Sequence, residues 1–405
     1  MSGGALTAAG AWADTIPAGW SIAKLGRTAR IGNGSTPRRD NREYWDRGVV
    51  PWLNSSVVNQ ARVDSSAESV AAAALAECHL PIVSPGSVLV GLTGQGRTRG
   101  MATILDIEAT VNQHLAYVTP DRARWFPDFL LWSLTAAYDD LRRISEENGS
   151  TKGGLTCEAL KQLRVLVPPI DEQRAIADYL DRETARIDTL IEEQRRLVDL
   201  LRERRIAVIR HASEVVGAPV VRLGWFARVS SGDGINIDEV SRAGDSTGSV
   251  PVIGGNGVMG FGAKSNVAGS VVAIGRVGAL CGNVHRVDEP AWITDNALRL
   301  DDLRDFDVDF LRWHLEGRNL NAISRSTAQP LITGSQIAAL MVPMPSLAEQ
   351  RRLAAYLDDE TEKFDTLIKE TERFIELSKE RRSALITAAV TGQIDVRRWR
   401  DGRRR

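Results

Sequence analysis

The fold is decided by residues 171–205, which read DEQRAIADYLDRETARIDTLIEEQRRLVDLLRERR, and by residues 348–382, which read AEQRRLAAYLDDETEKFDTLIKETERFIELSKERR. A shift of 177 residues superposes the two stretches and places Glu172-Gln173-Arg174 on Glu349-Gln350-Arg351. A match sustained over these 35 positions is typical of an internal duplication, which is the first feature to establish in a new sequence. We therefore predict that the chain contains one structural unit twice.

Both stretches carry apolar residues at alternating steps of four and three, which is typical of a helix that packs along another helix. Polar residues interrupt this seam at matching places in the two copies, and polar groups in a seam can fix register and partner. A single helix of this kind is more typical of a homodimer seam or a buried bundle helix, but two matched copies favour antiparallel pairing inside one chain, with internal pseudo-two-fold symmetry. The helix-pairing residues that we predict are Ile176, Leu180, Ile187, Leu190, Leu197, Leu201, Leu353, Leu357, Phe364, Leu367 and Phe374.

Start and stop signals bound both predicted helices. Ser346 and Glu349 form a capping box at the start of the second helix, and Asp171 can cap the first. Gly217 and Gly392 mark the far ends. Each predicted helix is then roughly 40 residues long, which corresponds to ~60 Å at ~1.5 Å per residue.

A segment rich in Gly and in short β-branched runs precedes each helix, with turn signals every ~8–12 residues, as in mixed or mostly β domains. The segments share motifs, because residues 128–132 match residues 309–313. The predicted fold class is α+β: two mixed, mostly β domains, each followed by a long helix. The predicted boundaries are 1–168 and 217–345 for the domains, 169–216 and 346–393 for the helices, and 394–405 for a basic C-terminal tail.

Composition limits the possible functions. With 43% hydrophobic and 25% charged residues the chain is typical of a globular protein, and its net charge of −1 argues against coating nucleic acid by bulk attraction. Of 51 basic residues only seven are Lys, so 44 are Arg, whose fork suits phosphates and guanine; a GC-rich genome explains this bias equally well. The three scattered cysteines predict neither a disulfide framework nor a zinc site, and the lack of a signal peptide or spanning segment predicts a cytoplasmic protein.

Motifs for catalysis are missing from the sequence. Adenine methylation requires an Asn/Asp-Pro-Pro-Tyr/Phe element, and Val167-Pro168-Pro169-Ile170 lacks both the amide and the ring. No Asp/Glu-x-Lys pair of a metal-dependent nuclease and no Gly-x-x-x-x-Gly-Lys-Ser/Thr phosphate loop is present. We therefore predict that the chain is not an enzyme.

Two Pro-x-x-x-Glu-Gln-Arg helix starts, at Pro168 and Pro345, make the chain resemble the specificity subunit of a type I restriction–modification system over nearly its full length. The resemblance implies two target-recognition domains that read the halves of a split, asymmetric DNA site, with the helices setting the unread spacer. It implies two methyltransferase subunits and motor-nuclease subunits as partners. No cofactor is expected in this chain, whereas S-adenosylmethionine, ATP and Mg are expected in the partners.

Polar residues in turns are the candidates for contacting DNA, because Arg and Lys read guanine, Asn and Gln read adenine, and hydroxyls bind phosphates. The candidates in the first domain are Arg38, Arg39, Asn54, Ser55, Gln95, Arg97, Thr98, Arg99, Thr151 and Lys152. The candidates in the second domain are Asn256, Lys264, Ser265, Arg276, Thr327 and Gln329. Two alternatives stay open: a coiled-coil scaffold that binds no DNA, and a specificity subunit of a methyltransferase-only complex.

Overall fold

A computed structural model of the chain describes residues 16–94, 96–147, 154–241, 249–278, 281–324 and 330–396. The chain forms two compact units. Unit 1 comprises Met1–Glu192 together with Glu376–Arg405, and unit 2 comprises Glu193–Ile375. Each unit therefore combines one globular segment with part of each long helix.

Unit 1 contains a five-stranded sheet, a three-stranded sheet and a two-stranded ribbon, with strand orders β2-β9-β6-β7-β4, β5-β3-β8 and β1-β10. Its strands are β1 Ser21–Lys24, β2 Ala29–Asn33, β3 Val50–Leu53, β4 Arg62–Val63, β5 Glu68–Val70, β6 Val88–Gly91, β7 Ala102–Leu105, β8 Thr110–Val111, β9 Leu115–Pro120 and β10 Arg164–Val167. Its helices are α1 Ala72–Glu77, α2 Pro127–Ala136, α3 Tyr138–Glu147, α4 Cys157–Gln162 and the first part of α5 Ile170–Ser213.

Unit 2 contains a four-stranded sheet, a three-stranded sheet and a two-stranded ribbon, with strand orders β12-β18-β15-β16, β14-β13-β17 and β11-β19. Its strands are β11 Val220–Arg222, β12 Arg228–Ser231, β13 Val250–Gly254, β14 Gly257–Gly262, β15 Val271–Gly275, β16 Val284–Val287, β17 Trp292–Ile293, β18 Ala297–Asp301 and β19 Met341–Pro343. Its helices are α6 Val308–Glu316, α7 Gly334–Ala338 and the first part of α8 Leu347–Val390.

The two units repeat one topology, which confirms the predicted α+β class. In each larger sheet a central strand, β9 or β18, lies between two antiparallel neighbours. In each three-stranded sheet the middle strand pairs in parallel with a short strand, as β3 with β8 and β13 with β17. Among the described residues, no helix combines the length and the apolar character that a membrane span requires.

The two long helices pair in opposite directions within each unit. In unit 1, Ile176 and Leu180 near the start of α5 share a core with Ile386 and Val390 near the end of α8. In unit 2, Ile209 near the end of α5 shares a core with Leu357 near the start of α8. The antiparallel pairing predicted from the repeat is therefore confirmed.

At every second position of the seam between the helices, the buried residue is not the predicted one but the residue that follows it. Ile176, Leu180, Ile187 and Leu357 are buried, and Leu190, Leu201, Leu353 and Phe364 are half-buried. By contrast, Leu197, Leu367 and Phe374 are 40%, 48% and 45% exposed and were wrongly placed in the seam. The residues buried at the alternate positions are Ala177, Thr184, Ile191 and Val198 in α5, and Ala354, Thr361 and Ile375 in α8.

The physical reason lies in two threonines at seam positions. Thr184 and Thr361 bury their hydroxyls by donating to the carbonyls of Leu180 and Leu357, one turn earlier, at 2.6 Å each. A threonine whose hydroxyl donates to a carbonyl of its own helix can be buried in the seam. A search for apolar residues does not find such a position. An apolar pattern alone therefore places every second seam residue one position too early, as at Leu197, where the next residue, Val198, is the buried one.

Candidate nucleic-acid interface

The polar loops of unit 1 gather at one edge of its five-stranded sheet. Strands β2 and β6 are both antiparallel to β9, so both end where β9 begins. The described parts of the loops that follow them, residues 34–49, 92–94 and 96–99, therefore leave the sheet beside the turn at residues 112–114. We call this set of three segments edge 1.

Hydrogen bonds join the three segments of edge 1. The Thr36 hydroxyl donates to the Gln113 side chain at 2.7 Å, and the Leu92 amide donates to the His114 carbonyl at 2.9 Å. The Leu155 amide donates to the Leu92 carbonyl at 2.9 Å, which brings the chain that follows α3 to the same place. The Gly34 amide donates to the Asn112 carbonyl at 3.2 Å, and a Cβ at Gly34 would collide with the Val111 carbonyl. These hydrogen bonds therefore hold the segments of edge 1 together as one surface.

The first loop of edge 1 holds two predicted arginines in different environments. Arg38 is exposed and pairs with Asp40 at 2.8 Å. Arg39 donates to both carboxylate oxygens of Glu68, and its guanidinium lies 4.1 Å from the ring centroid of Trp45 and 4.9 Å from that of Trp52. The hydrogen bond from Arg39 lowers the pKa of Glu68. Glu68 and two tryptophan rings hold Arg39 in place, so it shapes the loop. Arg38 also donates to both oxygens of Asp40, but both of these side chains are largely exposed, so the pair is a weak one that a ligand can replace.

Asn54 and Ser55 lie next to edge 1, because the Asn112 amide donates to the Leu53 carbonyl at 2.9 Å. The Asn54 side chain caps the 3-10 helix Ser55–Asn59 by accepting from the Ser56 amide at 2.9 Å. This capping hydrogen bond gives Asn54 a structural role.

The second loop of edge 1 contributes Arg97 and Thr98 as accessible side chains. The Arg97 carbonyl accepts from the Tyr138 hydroxyl at 3.0 Å, which fixes the backbone and leaves the guanidinium outside. Arg99 is buried and pairs with Glu146 at 3.1 Å, so its position favours a structural role. The predicted residues Gln95, Thr151 and Lys152 lie outside the described residues.

Unit 2 builds the equivalent surface, which we call edge 2, from residues 232–236, 276–278 and 294–296. Strands β12 and β15 are both antiparallel to β18 and end where β18 begins. The Arg276 amide donates to the Asn296 carbonyl at 3.0 Å, and the Arg276 guanidinium donates to the Ser231 hydroxyl at 3.0 Å. The Ile332 amide donates to the Arg276 carbonyl at 2.9 Å, just as the Leu155 amide does to the Leu92 carbonyl in unit 1.

The other predicted residues of unit 2 have unequal positions. Asn256 lies in the β13–β14 turn and accepts from the Asn283 side chain at 2.9 Å. Lys264 is exposed, with Glu239 at 3.6 Å. The Ser265 hydroxyl donates to the carbonyls of Val267 and Ala291, so it shapes its loop. Thr327 and Gln329 lie outside the described residues.

Sequence reasoning missed the polar turns that precede the central strands. Gln113 and His114 are exposed on edge 1, and Asn296 occupies the corresponding turn of edge 2. Their signal is a short polar run between two apolar strands, which is visible in both halves of the sequence. Within the described ranges, no group of three or more His, Cys, Asp or Glu side chains is placed to hold a metal ion.

The chain thus has a duplicated α+β architecture, in which each unit has one polar sheet edge and contains parts of both long helices. The family model for the type I restriction modification DNA specificity domain matches residues 17–198 and 221–377. The chain therefore belongs to this family and carries its DNA specificity domain twice, which confirms the predicted resemblance.

Individual relatives agree with this assignment. The chain is 24% identical over 371 residues to the type I restriction enzyme EcoprrI specificity subunit of Escherichia coli, which covers 85% of this chain and 87% of that protein. The HsdS subunit from Thermoanaerobacter tengcongensis has the same fold, with a TM-score of 0.57 at 16% identity over 94% of this chain and 98% of that one. A chain from a structure on complex assembly and conformational transition of the type I R-M system gives a TM-score of 0.77 at 16% identity, over 94% of this chain and 99% of that one.

Proposed function

We propose that the chain reads a bipartite, asymmetric DNA site for a type I restriction–modification complex, with edge 1 on one half and edge 2 on the other. The observation that carries the proposal is that the two edges are built alike but present different side chains. Base edges in the major groove are read by such side chains, and phosphates fix the register. The chain itself contributes recognition, and its partners contribute the methyltransferase and nuclease chemistry.

The two edges differ in the bases that their side chains suit. Edge 1 presents the guanidinium groups of Arg38 and Arg97, which suit guanine. Edge 2 presents Asn296 and Arg276, with Asn256 in the neighbouring turn, and amides suit adenine. Because unlike readers require unlike half-sites, the full site is expected to be non-palindromic.

The long helices support the spacer role that the family resemblance implies. Helices α5 and α8 each run for 44 residues without interruption, which corresponds to ~66 Å at ~1.5 Å per residue. An uninterrupted helix keeps a fixed length, so we propose that the helices set the number of base pairs left unread.

Exposed apolar residues on the helices support docking of two copies of one partner. Leu197 and Leu200 of α5 are 40% and 61% exposed, and Phe374 and Leu377 of α8 are 45% and 52% exposed. The shift of 177 residues that defines the repeat pairs Leu197 with Phe374 and Leu200 with Leu377. Large apolar side chains left exposed at repeated positions are typical of protein interaction surfaces. We propose that each helix binds one methyltransferase subunit, with motor-nuclease subunits joining the complex.

A binding experiment tests the DNA-reading role. The full chain, assembled with its methyltransferase subunit, is titrated against a duplex carrying the site found by methylome sequencing and against a scrambled duplex. We expect Arg97→Ala to weaken binding to the specific duplex by about 1–3 kcal/mol, which is the loss of one bidentate base contact.

The matched control is Arg27→Ala, which removes an exposed arginine from the opposite edge of the same sheet, just before β2 begins. This variant is expected to bind like the unmodified chain. Equal affinity of the unmodified complex for both duplexes would favour the scaffold alternative and refute the DNA-reading role.

A further inference from the structure

A cavity of about 580 Å³ in unit 2 borders edge 2. It lies among the last turns of α5, the start of β16 and the segment that follows α6, and its lining includes Arg210, Asn283, His285, Glu316 and Arg318. Asn283 connects the cavity to the neighbourhood of edge 2, because its side chain donates to Asn256 in the adjacent turn and its carbonyl accepts from the amide of Gly275, the residue before Arg276. A ligand in this cavity would therefore lie next to whatever edge 2 binds.

The lining of the cavity favours an anion. Its one carboxylate, Glu316, accepts from Arg205 at 2.7 Å and from Arg312 at 3.4 Å, so its charge is balanced by arginines outside the lining. The two lining arginines have neutral partners: Arg210 donates to the Gly317 carbonyl at 3.3 Å and Arg318 to the Met341 carbonyl at 2.7 Å. Burial lowers the pKa of Arg318, and nearby Glu214 offsets this only in part.

Neutral donors complete the lining. The Nε2 atom of His285 is buried and has no hydrogen-bond partner in the part of the chain that the structure describes. Burial lowers the pKa of His285, and nearby Glu316 offsets this only in part, so the neutral form of the ring is favoured. Asn319 and Asn321 add amide groups to the same lining. Guanidinium and amide groups are donors that proteins use for phosphate oxygens.

Comparison with unit 1 shows that the fold does not require these arginines. The shift of 177 residues pairs Arg210 with Thr387, and the match of residues 128–132 with 309–313 pairs Arg318 with Ala137. Ala137 is fully buried in the core of unit 1. The repeated architecture therefore stands without a positive charge at either position, and the arginines of unit 2 are an addition to it.

We propose that this cavity is a phosphate-binding site that holds a DNA backbone phosphate beside the half-site read by edge 2. The DNA source of the phosphate rests on the proposed function. Backbone phosphates fix the register of a protein on the duplex without reading bases, so this site positions edge 2.

The test replaces each arginine by the residue of unit 1, in Arg210→Thr and Arg318→Ala. The dissociation constant of the assembled complex for its specific duplex is measured over a range of salt concentrations. Loss of one phosphate contact is expected to reduce the slope of log Kd against log salt by about one, with the base preference unchanged. Arg318→Gln serves as a second variant, because it removes the charge but keeps a donor for the Met341 carbonyl. Thermal unfolding of each variant reports whether the fold is retained.

The matched control is Arg304→Ala, which removes an exposed arginine before the opposite end of α6. A slope that drops for Arg304→Ala as much as for Arg210→Thr would overturn the proposal, as would an unchanged slope in folded Arg210→Thr and Arg318→Gln. A deoxynucleoside 3′,5′-bisphosphate is titrated in parallel. Binding of this probe that the variants lose, with an unchanged DNA slope, would retain the phosphate site but overturn its DNA source. Failure of the proposed function looks different, because the unmodified complex would then show no sequence preference at all.

Discussion

At the scale of single residues, one buried glutamine holds the start of each long helix. The Gln173 side chain donates to the carbonyls of Arg124 and Pro168 and accepts from the Phe126 amide, each at 2.8 Å. Gln350 makes the same three bonds in unit 2, with Asp305, Pro345 and Asp307. Each glutamine thereby joins its helix to the loop before α2 or α6. This explains why the repeated Glu-Gln-Arg motif contains a glutamine.

The Gln173→Leu variant is expected to lower the free energy of unfolding by about 3 kcal/mol, because it leaves buried backbone groups without partners. Chemical denaturation followed by circular dichroism measures this loss. Gln60→Leu, at an exposed position of the same unit, is the control and should change stability by less than about 0.5 kcal/mol. Equal effects of the two variants would contradict the structural role of Gln173.

His314 makes the stability of unit 2 depend on pH. It is buried in α6 with Nδ1 at 3.1 Å from the Ser213 carbonyl, and burial lowers its pKa to about 4. The unfolded chain has the ordinary value of about 6.5, so the unfolded state binds the proton first as the pH falls. Stability from this group is therefore fully present above pH ~6.5 and is lost as the pH falls towards ~4.

Between pH 6.5 and 5 this histidine is expected to reduce the free energy of unfolding by about 2 kcal/mol, at ~1.4 kcal/mol per pH unit. His314→Gln keeps a donor for the Ser213 carbonyl but does not titrate, so its stability should change less over this interval. His211→Gln, at an exposed position of α5, is the control and should behave like the unmodified chain. A pH dependence unaffected by His314→Gln would contradict this account.

At the scale of elements, the sequence predicted the helices better than the surfaces between them. The repeat and the caps predict both long helices, which are found at Ile170–Ser213 and Leu347–Val390. The seam was misplaced at alternate positions because Thr184 and Thr361 are buried there with satisfied hydroxyls. A hydrophobic pattern carries no information on whether a hydroxyl finds a partner in its own helix.

Neighbouring residues of α8 test the corrected seam. Ile375 is 6% exposed and Phe374 is 45% exposed. Ile375→Ala is expected to cost about 2–4 kcal/mol, because it leaves a cavity in the seam, whereas Phe374→Ala should cost clearly less although it removes a larger side chain. Denaturation of the isolated chain compares the two variants. A greater loss for Phe374→Ala would restore the seam predicted from the sequence.

The exposed apolar residues of the helices lead to a prediction about stoichiometry. If each helix binds one methyltransferase subunit, Leu200→Glu and Leu377→Glu should each reduce the number bound from two to one, and the double variant should bind none. Native mass spectrometry of the assembled complex counts the subunits. Val216→Glu, at a fully exposed apolar position outside both helices, is the control. Two subunits retained by the double variant would contradict this docking surface.

At the scale of the whole molecule, both units contain the same pair of polar contacts, one from the globular segment to a long helix and one between the two long helices. In unit 1, the Trp132 indole donates to Asp181 at 2.8 Å and Arg382 pairs with Asp188 at 2.8 Å. In unit 2, Trp313 donates to Asp358 at 2.8 Å and Arg205 pairs with Asp365 at 2.9 Å. Each unit thus needs residues from both long helices, which lie far apart in the sequence.

This sharing limits what the sequence could predict about the whole molecule and its binding surface. Boundaries read along the chain assign each helix to one segment, whereas the compact units divide both helices near residues 192 and 375. In the same way, edge 1 combines loops that lie far apart in the sequence, and the hydrogen bond between Thr36 and Gln113 joins two residues that are 77 positions apart. Turn composition selected Arg38 and Arg97 as candidates, but only the strand order places them on the same edge as Gln113.

The most direct test of the account is the methylome of cells that carry the partner subunits with the unmodified chain or with an edge variant. Arg38→Ala/Arg97→Ala changes edge 1, and Asn256→Ala/Arg276→Ala changes edge 2. We predict that the unmodified chain directs methylation to a split, non-palindromic site, and that each double variant relaxes base preference in one half only, a different half for each. A continuous or palindromic site, or two variants that relax the same half, would contradict the claim that the two units read separate halves.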